Sequence, residues 1–142
     1  MIKKILLLLL SIAPFLCQGQ DILGKWKTID SDSGEAQSIV ELYKRDGKVY
    51  GKIVKLFRKE GQDPDPICDD CPEDDPRYGK KIIGMEIIKD LEKDGSEYVD
   101  GTVLKPDEGR IYKCKIWLED GKLNIRGYWG FLYKTQEWIR AE

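Results

Sequence analysis

The sequence predicts an all-β fold: a single antiparallel, up-and-down barrel of about eight strands with one long acidic loop. Apolar residues alternate with polar ones along short stretches, turns bearing Gly punctuate them at regular spacing, and no stretch makes a convincing helix, although Met85, Ile87, Ile88 and Leu91 also satisfy a helical period. The clearest stretch is Arg110–Gly130, RIYKCKIWLEDGKLNIRGYWG. Tyr112, Cys114, Ile116 and Leu118 alternate with Lys113, Lys115 and Trp117, the repeat of a strand with one dry and one wet face. Asp120-Gly121 suits a two-residue hairpin turn, because Gly tolerates positive φ. On the return, Leu123, Ile125, Gly127 and Trp129 share the inner face, opposite Asn124, Arg126 and Tyr128.

The other elements follow in order. Ile22–Ile29 is a first strand anchored by Trp26, and Ser31–Gly34 is a turn. Gln37–Lys44 places Val40 and Leu42 on one face, and Arg45-Asp46-Gly47 turns the chain into Lys48–Phe57. Gly51 inside that strand predicts a bend or bulge. A long loop covers Arg58–Lys80. Ile82–Leu91 reads as a strand, since Gly84 and its short length disfavour a helix. Tyr98–Leu104 follows a turn at Lys93-Asp94-Gly95, and Lys105–Gly109 turns into the opening hairpin. Gly130–Lys134 reads as a loop and Thr135–Arg140 as the last strand. Such a meander forms a sandwich or a barrel, and closing it into a barrel hides its edges.

The N-terminus MIKKILLLLLSIAPFLCQGQ has two lysines, an apolar run of about a dozen residues and small residues Cys17 and Gly19 before Gln20. The run is shorter than the roughly 20 residues of a membrane span. Residues 1–19 therefore read as a secretory signal peptide and 20–142 as one domain, periplasmic or secreted. Acylation at Cys17 is the alternative, disfavoured by the bulky Leu16 before it. Losing the two leader lysines leaves 22 basic against 26 acidic residues, a net charge of −4. That balance argues against nucleic acid and against an anionic membrane surface, leaving membrane contact to the cleaved leader alone. The chain has no His, which removes Ser-His-Asp and Cys-His catalysis and every His-containing metal site.

Two features remain as candidates. Cys68-Asp69-Asp70-Cys71 is a CxxC within QDPDPICDDCPEDDPR. It suits a small disulfide that pins the loop; a redox pair is disfavoured by the surrounding carboxylates, which raise thiol pKa values, and by the lack of a βαβ context. Zinc would need four ligands, and Cys114, the other cysteine beyond the leader, reads as core. The carboxylates from Asp63 to Asp75 match no EF-hand spacing, so no metal or other cofactor is assigned. The second feature is the barrel interior. Val40, Leu42, Tyr112, Cys114, Ile116, Leu123, Ile125 and Trp129 either pack together or line a ligand site. Arg126 and Tyr128 are surface groups, or groups at the mouth if the face is shifted by one residue.

Gly24-Lys25-Trp26 with Arg140 on the last strand resembles the calycin pattern of lipocalins and their relatives, in which an Arg near the C-terminus covers a Trp of the first strand. A guanidinium stacks well on an indole. Nearly the whole chain beyond the leader also resembles the bacterial family of small secreted proteins called domain of unknown function 2147. The matching stretches are Gly24–Trp26, Val49–Val54, Ile83–Ile87, Gly109–Tyr112, Leu123–Tyr128 and Thr135–Arg140. The Cys68 and Cys71 pair resembles a subset of that family. The resemblance implies an exported, calycin-like (lipocalin-like) barrel with Trp26 and Arg140 as structural partners. It brings no catalytic residues.

These readings converge on an exported, non-enzymatic binding barrel for a small, largely apolar ligand, with the acidic loop near one opening. The rival is a filled barrel that serves as a structural or protein-interaction module, marked by Tyr43, Tyr50 and Trp117 forming one exposed patch. An enzyme would rest on the CxxC alone.

Overall fold

The computed structural model describes residues 21–141, so the expected leader over 1–19 and Cys17 lie outside the described residues. The strands are β1 (Gly24–Ile29), β2 (Ala36–Arg45), β3 (Lys48–Leu56), β4 (Glu86–Asp94), β5 (Glu97–Lys105), β6 (Arg110–Glu119), β7 (Lys122–Trp129) and β8 (Leu132–Arg140). Each pairs antiparallel with the next, and β8 returns to β1, closing an eight-stranded barrel. Asp46 and Gly47 turn β2 into β3 with φ of 52° and 79°, and Asp120 and Gly121 turn β6 into β7 with φ of 52° and 75°. Paired positive φ values are the primed geometry that matches strand twist. Gly51 lies at a register shift between β3 and β4, as its position predicts.

Two strand starts differ from expectation by three residues or more, and β4 runs on to Asp94 rather than ending at Leu91. β4 starts at Glu86, not Ile82, because Ile82 and Met85 bond within the loop: Ile82 N donates to Pro66 O at 3.0 Å and Met85 N to Ile82 O at 3.1 Å. β8 starts at Leu132, not Thr135, and pairs Leu132 with Trp129, Tyr133 with Tyr128 and Lys134 with Gly127. The intervening turn is Gly130-Phe131, and the apolar run Phe131–Tyr133 beside it lacks the alternation that marks a strand.

The barrel closes around Trp26. Its Nε1 donates to Ile22 O at 2.7 Å, and the Arg140 guanidinium lies 4.0 Å from its ring centroid. Arg140 also donates to Leu23 O at 2.8 Å and Asp21 O at 2.6 Å. Gly24, at φ +109°, leaves room for this arginine, since a Cβ there would sit 3.3 Å from Arg140 NH1. Around Trp26, the side chains of Val40, Leu42, Ile88, Leu91, Ile116 and Leu123 are at most 1% exposed and fill this end. Gly101 makes that filling fit: a Cβ there would meet Leu91 Cδ2 at 2.5 Å.

The long β3–β4 loop is folded onto the opposite end. Cys68 and Cys71 are joined and buried. Cys68 N donates to Lys80 O at 2.8 Å and Gly79 N to Cys68 O at 2.9 Å. Arg77 forks onto the Asp75 carboxylate through Nε at 2.9 Å and NH2 at 2.8 Å, and its NH1 reaches Glu86 O at 3.0 Å. The disulfide packs on the β5–β6 turn, with Cys68 Sγ 3.9 Å from Pro106 O. Gly109 touches the Asp70 carbonyl so closely that a Cβ would fall 1.7 Å from it.

Arg140→Ala removes the stacked cation and both carbonyl bonds, and urea unfolding should show a loss of about 1–2 kcal/mol. Arg140→Lys should restore only part, since an ammonium neither stacks nor forks in the same way. An unchanged midpoint would show that closure does not depend on this group. For the loop, Gly109→Ala should lower hydrogen-exchange protection at Cys68 and Gly79 while the barrel amides keep theirs.

Acid should act on the same loop through Asp75, whose pKa is lowered from 3.8 to about 2, chiefly by the Arg77 side chain, against the opposing effect of burial. A folded pKa below the unfolded one gives a contribution that is full above about pH 4 and lost as the pH falls through about 2. Protection at Cys68 and Gly79 should fall across that window. Asp75→Asn should show the lower protection already at neutral pH.

Candidate functional site

The half of the barrel away from Trp26 holds an open cavity of about 350 Å³. Alternation along the strands puts its lining on the inner face, and residue size sets where the filling stops. Ile53, Ile87, Val103, Leu104 and Ile125 form apolar walls. Gly127 lines it without a side chain, where β7 passes Tyr112.

The inner end is polar but uncharged. Thr28 and Ser38 are paired across β1 and β2, and their hydroxyls share a hydrogen bond of 2.7 Å, buried. Trp138 pairs across β7–β8 with Leu123, a residue of the filled half, so its indole marks the floor. Trp138 is 4% exposed, and its Nε1 is the one buried side-chain polar atom without a hydrogen-bond partner among the described residues. Leaving a buried donor unpaired costs about 1–3 kcal/mol.

The mouth is charged and aromatic. Glu108 accepts from Tyr112 Oη at 2.6 Å and pairs with Lys105 Nζ at 3.0 Å. These bonds, Tyr112 first and then Lys105, hold the Glu108 carboxyl below its ordinary pKa. Burial is the largest single influence on Lys105 and pulls it down, but its bond to Glu108 and the charges of Glu108 and Asp107 together turn the net shift upward. Across the mouth, Trp129, Leu132 and Tyr133 line the entrance, and Phe131 at the hairpin tip is 93% exposed.

Of the interior residues named from the sequence, Tyr112, Ile125 and Trp129 line the cavity, with Trp129 at the rim and largely exposed. Val40, Leu42, Cys114, Ile116 and Leu123 are buried and do not line it. Thr28, Ser38 and Trp138 line it and are absent from that set. With Arg140 placed over Trp26, alternation along β8 already points Trp138 and Gln136 inward. Arg126 is on the outer wall, between the rings of Trp117 at 5.0 Å and Tyr133 at 4.3 Å. Tyr43, Tyr50 and Trp117 do not form one patch. Tyr43 and Tyr50 stack at 6.2 Å on β2–β3 and bond Glu86 and Asp90, whereas Trp117 stands on β6.

The cysteines are set for structure. Cys68 and Cys71 are 1% and 4% exposed, which shields both sulfurs from an attacking thiol. Burial pushes the Cys114 thiol up to about 12. Two of the loop carboxylates are paired locally, Asp75 with Arg77 and Asp65 with Lys81 at 2.7 Å. Among the described residues no group of three Cys, Asp or Glu side chains converges to hold a metal ion.

A solved structure from Helicobacter pylori, described as a protein belonging to the lipocalin family, matches the fold with a TM-score of 0.72. The match covers 87% of this chain and 85% of that one at 20% identity, and so shows a shared barrel architecture. No curated protein matches the chain. The family model described as "Uncharacterized protein conserved in bacteria (DUF2147)" matches residues 24–140, from the glycine beside Trp26 to the arginine that covers it, and the chain belongs to that family.

Proposed function

We propose that this chain is an exported, non-enzymatic carrier that holds one small, largely apolar molecule in the open half of its barrel. The observation that carries the reading is the open cavity of about 350 Å³, apolar along its walls. That volume lies within the range of ordinary small-molecule sites, roughly 300–1,000 Å³. The lipocalin description of the Helicobacter pylori structure agrees with a ligand-holding barrel. The buried Cys68–Cys71 disulfide and the leader-like N-terminus support export. Against an enzyme, the cavity's two buried hydroxyls bond each other, and the chain has no His to activate them.

Native mass spectrometry of the exported protein, beside the same sample denatured, should reveal a discrete mass lost on unfolding. A neutral naphthalene dye such as N-phenyl-1-naphthylamine should bind the emptied protein and be displaced by that molecule. Ile125→Trp and Val103→Phe each fill the cavity from one wall and should weaken dye binding at least about tenfold, with circular dichroism unchanged. Dye binding that both variants leave intact would place the ligand elsewhere and overturn the reading.

A further inference from the structure

We infer that the tip of the β7–β8 hairpin is a docking element that sets its aromatic side chains into the surface of a lipid bilayer containing anionic lipid; this docking does not depend on what the cavity holds. Four of the large apolar side chains exposed among the described residues stand in one run at this tip. Phe131, in the turn, is 93% exposed, and Trp129, Leu132 and Tyr133 are each more than half exposed. Ile111 on neighbouring β6 is exposed as well. A contiguous apolar run of this kind marks a contact with a protein or with a membrane. Shape favours the membrane. The run sits at the apex of a tight turn, just beyond the last ladder pair, Trp129 with Leu132, so it projects from the rim and does not form a flat face. A rigid protein would need a matching socket for Phe131, whereas fluid acyl chains need none. Trp and Tyr, with an apolar ring and a polar edge, suit the headgroup level, and Phe and Leu the layer beneath it.

Charge favours it too. From Gly109 to Gln136 the acidic residues are Glu119 and Asp120, both at the turn of the Trp26 end. Arg110, Lys113 and Lys134 are exposed near the tip and join no ion pair among the described residues. Arg110 stands over the Trp129 ring at 5.4 Å and Arg126 over the Tyr133 ring at 4.3 Å, so cations flank the aromatic groups. The net charge of −4 beyond the leader opposes an anionic surface only where it is spread evenly, and here it is not. The turns around the opening follow in strand order, β1–β2, β3–β4, β5–β6 and β7–β8, so the acidic β3–β4 loop lies directly across the opening from the tip. A barrel tilted onto the tip lifts that loop away from the lipid. Glu108 and Asp30 on the two flanking turns are nearer, and each is held by donors of its own: Lys105 and Tyr112 for Glu108, Asp32 N and Gln37 for Asp30.

Vesicle co-sedimentation of the exported protein tests this. Binding to phosphatidylcholine vesicles containing about one-third phosphatidylglycerol should be about tenfold stronger than to phosphatidylcholine alone, and salt should weaken it. Phe131→Ser removes a side chain that touches little of the barrel, so it should leave circular dichroism unchanged and weaken binding about tenfold. Arg110→Gln with Lys113→Gln should cancel the gain from phosphatidylglycerol and leave binding to phosphatidylcholine alone as it was. Lipids brominated on their acyl chains should quench the tryptophan fluorescence of the bound protein. Trp26 and Trp138 are buried, and Trp117 lies far down the wall, paired with Asn124, so the quenching reports Trp129 and Trp129→Phe should remove most of it. No binding to the mixed vesicles, or binding that Phe131→Ser leaves intact, would overturn docking through the tip. A dimer in solution that Phe131→Ser dissolves would assign the tip to a second copy of the chain and overturn it likewise. Either result leaves the carrier reading standing, since that reading is decided by dye binding in the cavity.

Discussion

The stacking of Arg140 on Trp26 is the interaction on which the barrel depends. A meander of antiparallel strands has two edges, and the first and last strands must find each other across the whole chain. Here β1 and β8 share a short ladder, Trp26 with Arg140 and Lys27 with Ile139. The arginine reinforces it with a planar cation over the indole and two bonds to carbonyls ahead of β1. With that seam closed, strand alternation sends one set of side chains inward, and the interior exists as a volume to be filled or left open.

How it is filled is a matter of residue size along the axis. The Trp26 end receives Leu42, Ile88, Leu91, Ile116 and Leu123, and Gly51 and Gly101 thin the wall where Leu42 and Leu91 would otherwise collide with it. Towards the other end the inward positions of β1, β2 and β7 become Thr28, Ser38 and Gly127. Small inward residues on these strands leave space that no neighbour reaches across to occupy. The acidic loop, anchored by its disulfide and by Gly109 against Asp70, braces the turn that carries Lys105 and Glu108 to the mouth.

Much of this architecture was legible in the sequence. Period-two alternation located the strands, Asp-Gly pairs located the tight turns, and the Trp26–Arg140 pairing located the closed end. The start of β8 was hidden because Phe131, Leu132 and Tyr133 are all exposed to 54% or more and show no alternation. Ile82 was drawn into a strand by its apolar neighbours, although it serves the loop. The candidate site was legible only in part, for a geometric reason. Alternation tells which face a residue occupies but not how far along the axis it lies, so Val40 and Ile125 look equivalent in the sequence and sit in different halves. The unpaired indole of Trp138 is a property of the closed interior and has no counterpart in the pattern.

The start of the first strand and the end of the last meet at one end of the barrel. Gly24 and Arg140 both lie at the sealed end, where Ala141 N donates to Lys25 O at 3.0 Å. The hairpin turns at Asp46-Gly47 and Asp120-Gly121 lie at that end too, whereas the turns at 106–109 and 130–131 surround the opening. A tag or surface joined just beyond Arg140 therefore attaches at the end of the barrel opposite its opening. The opening of the barrel then faces away from whatever holds it.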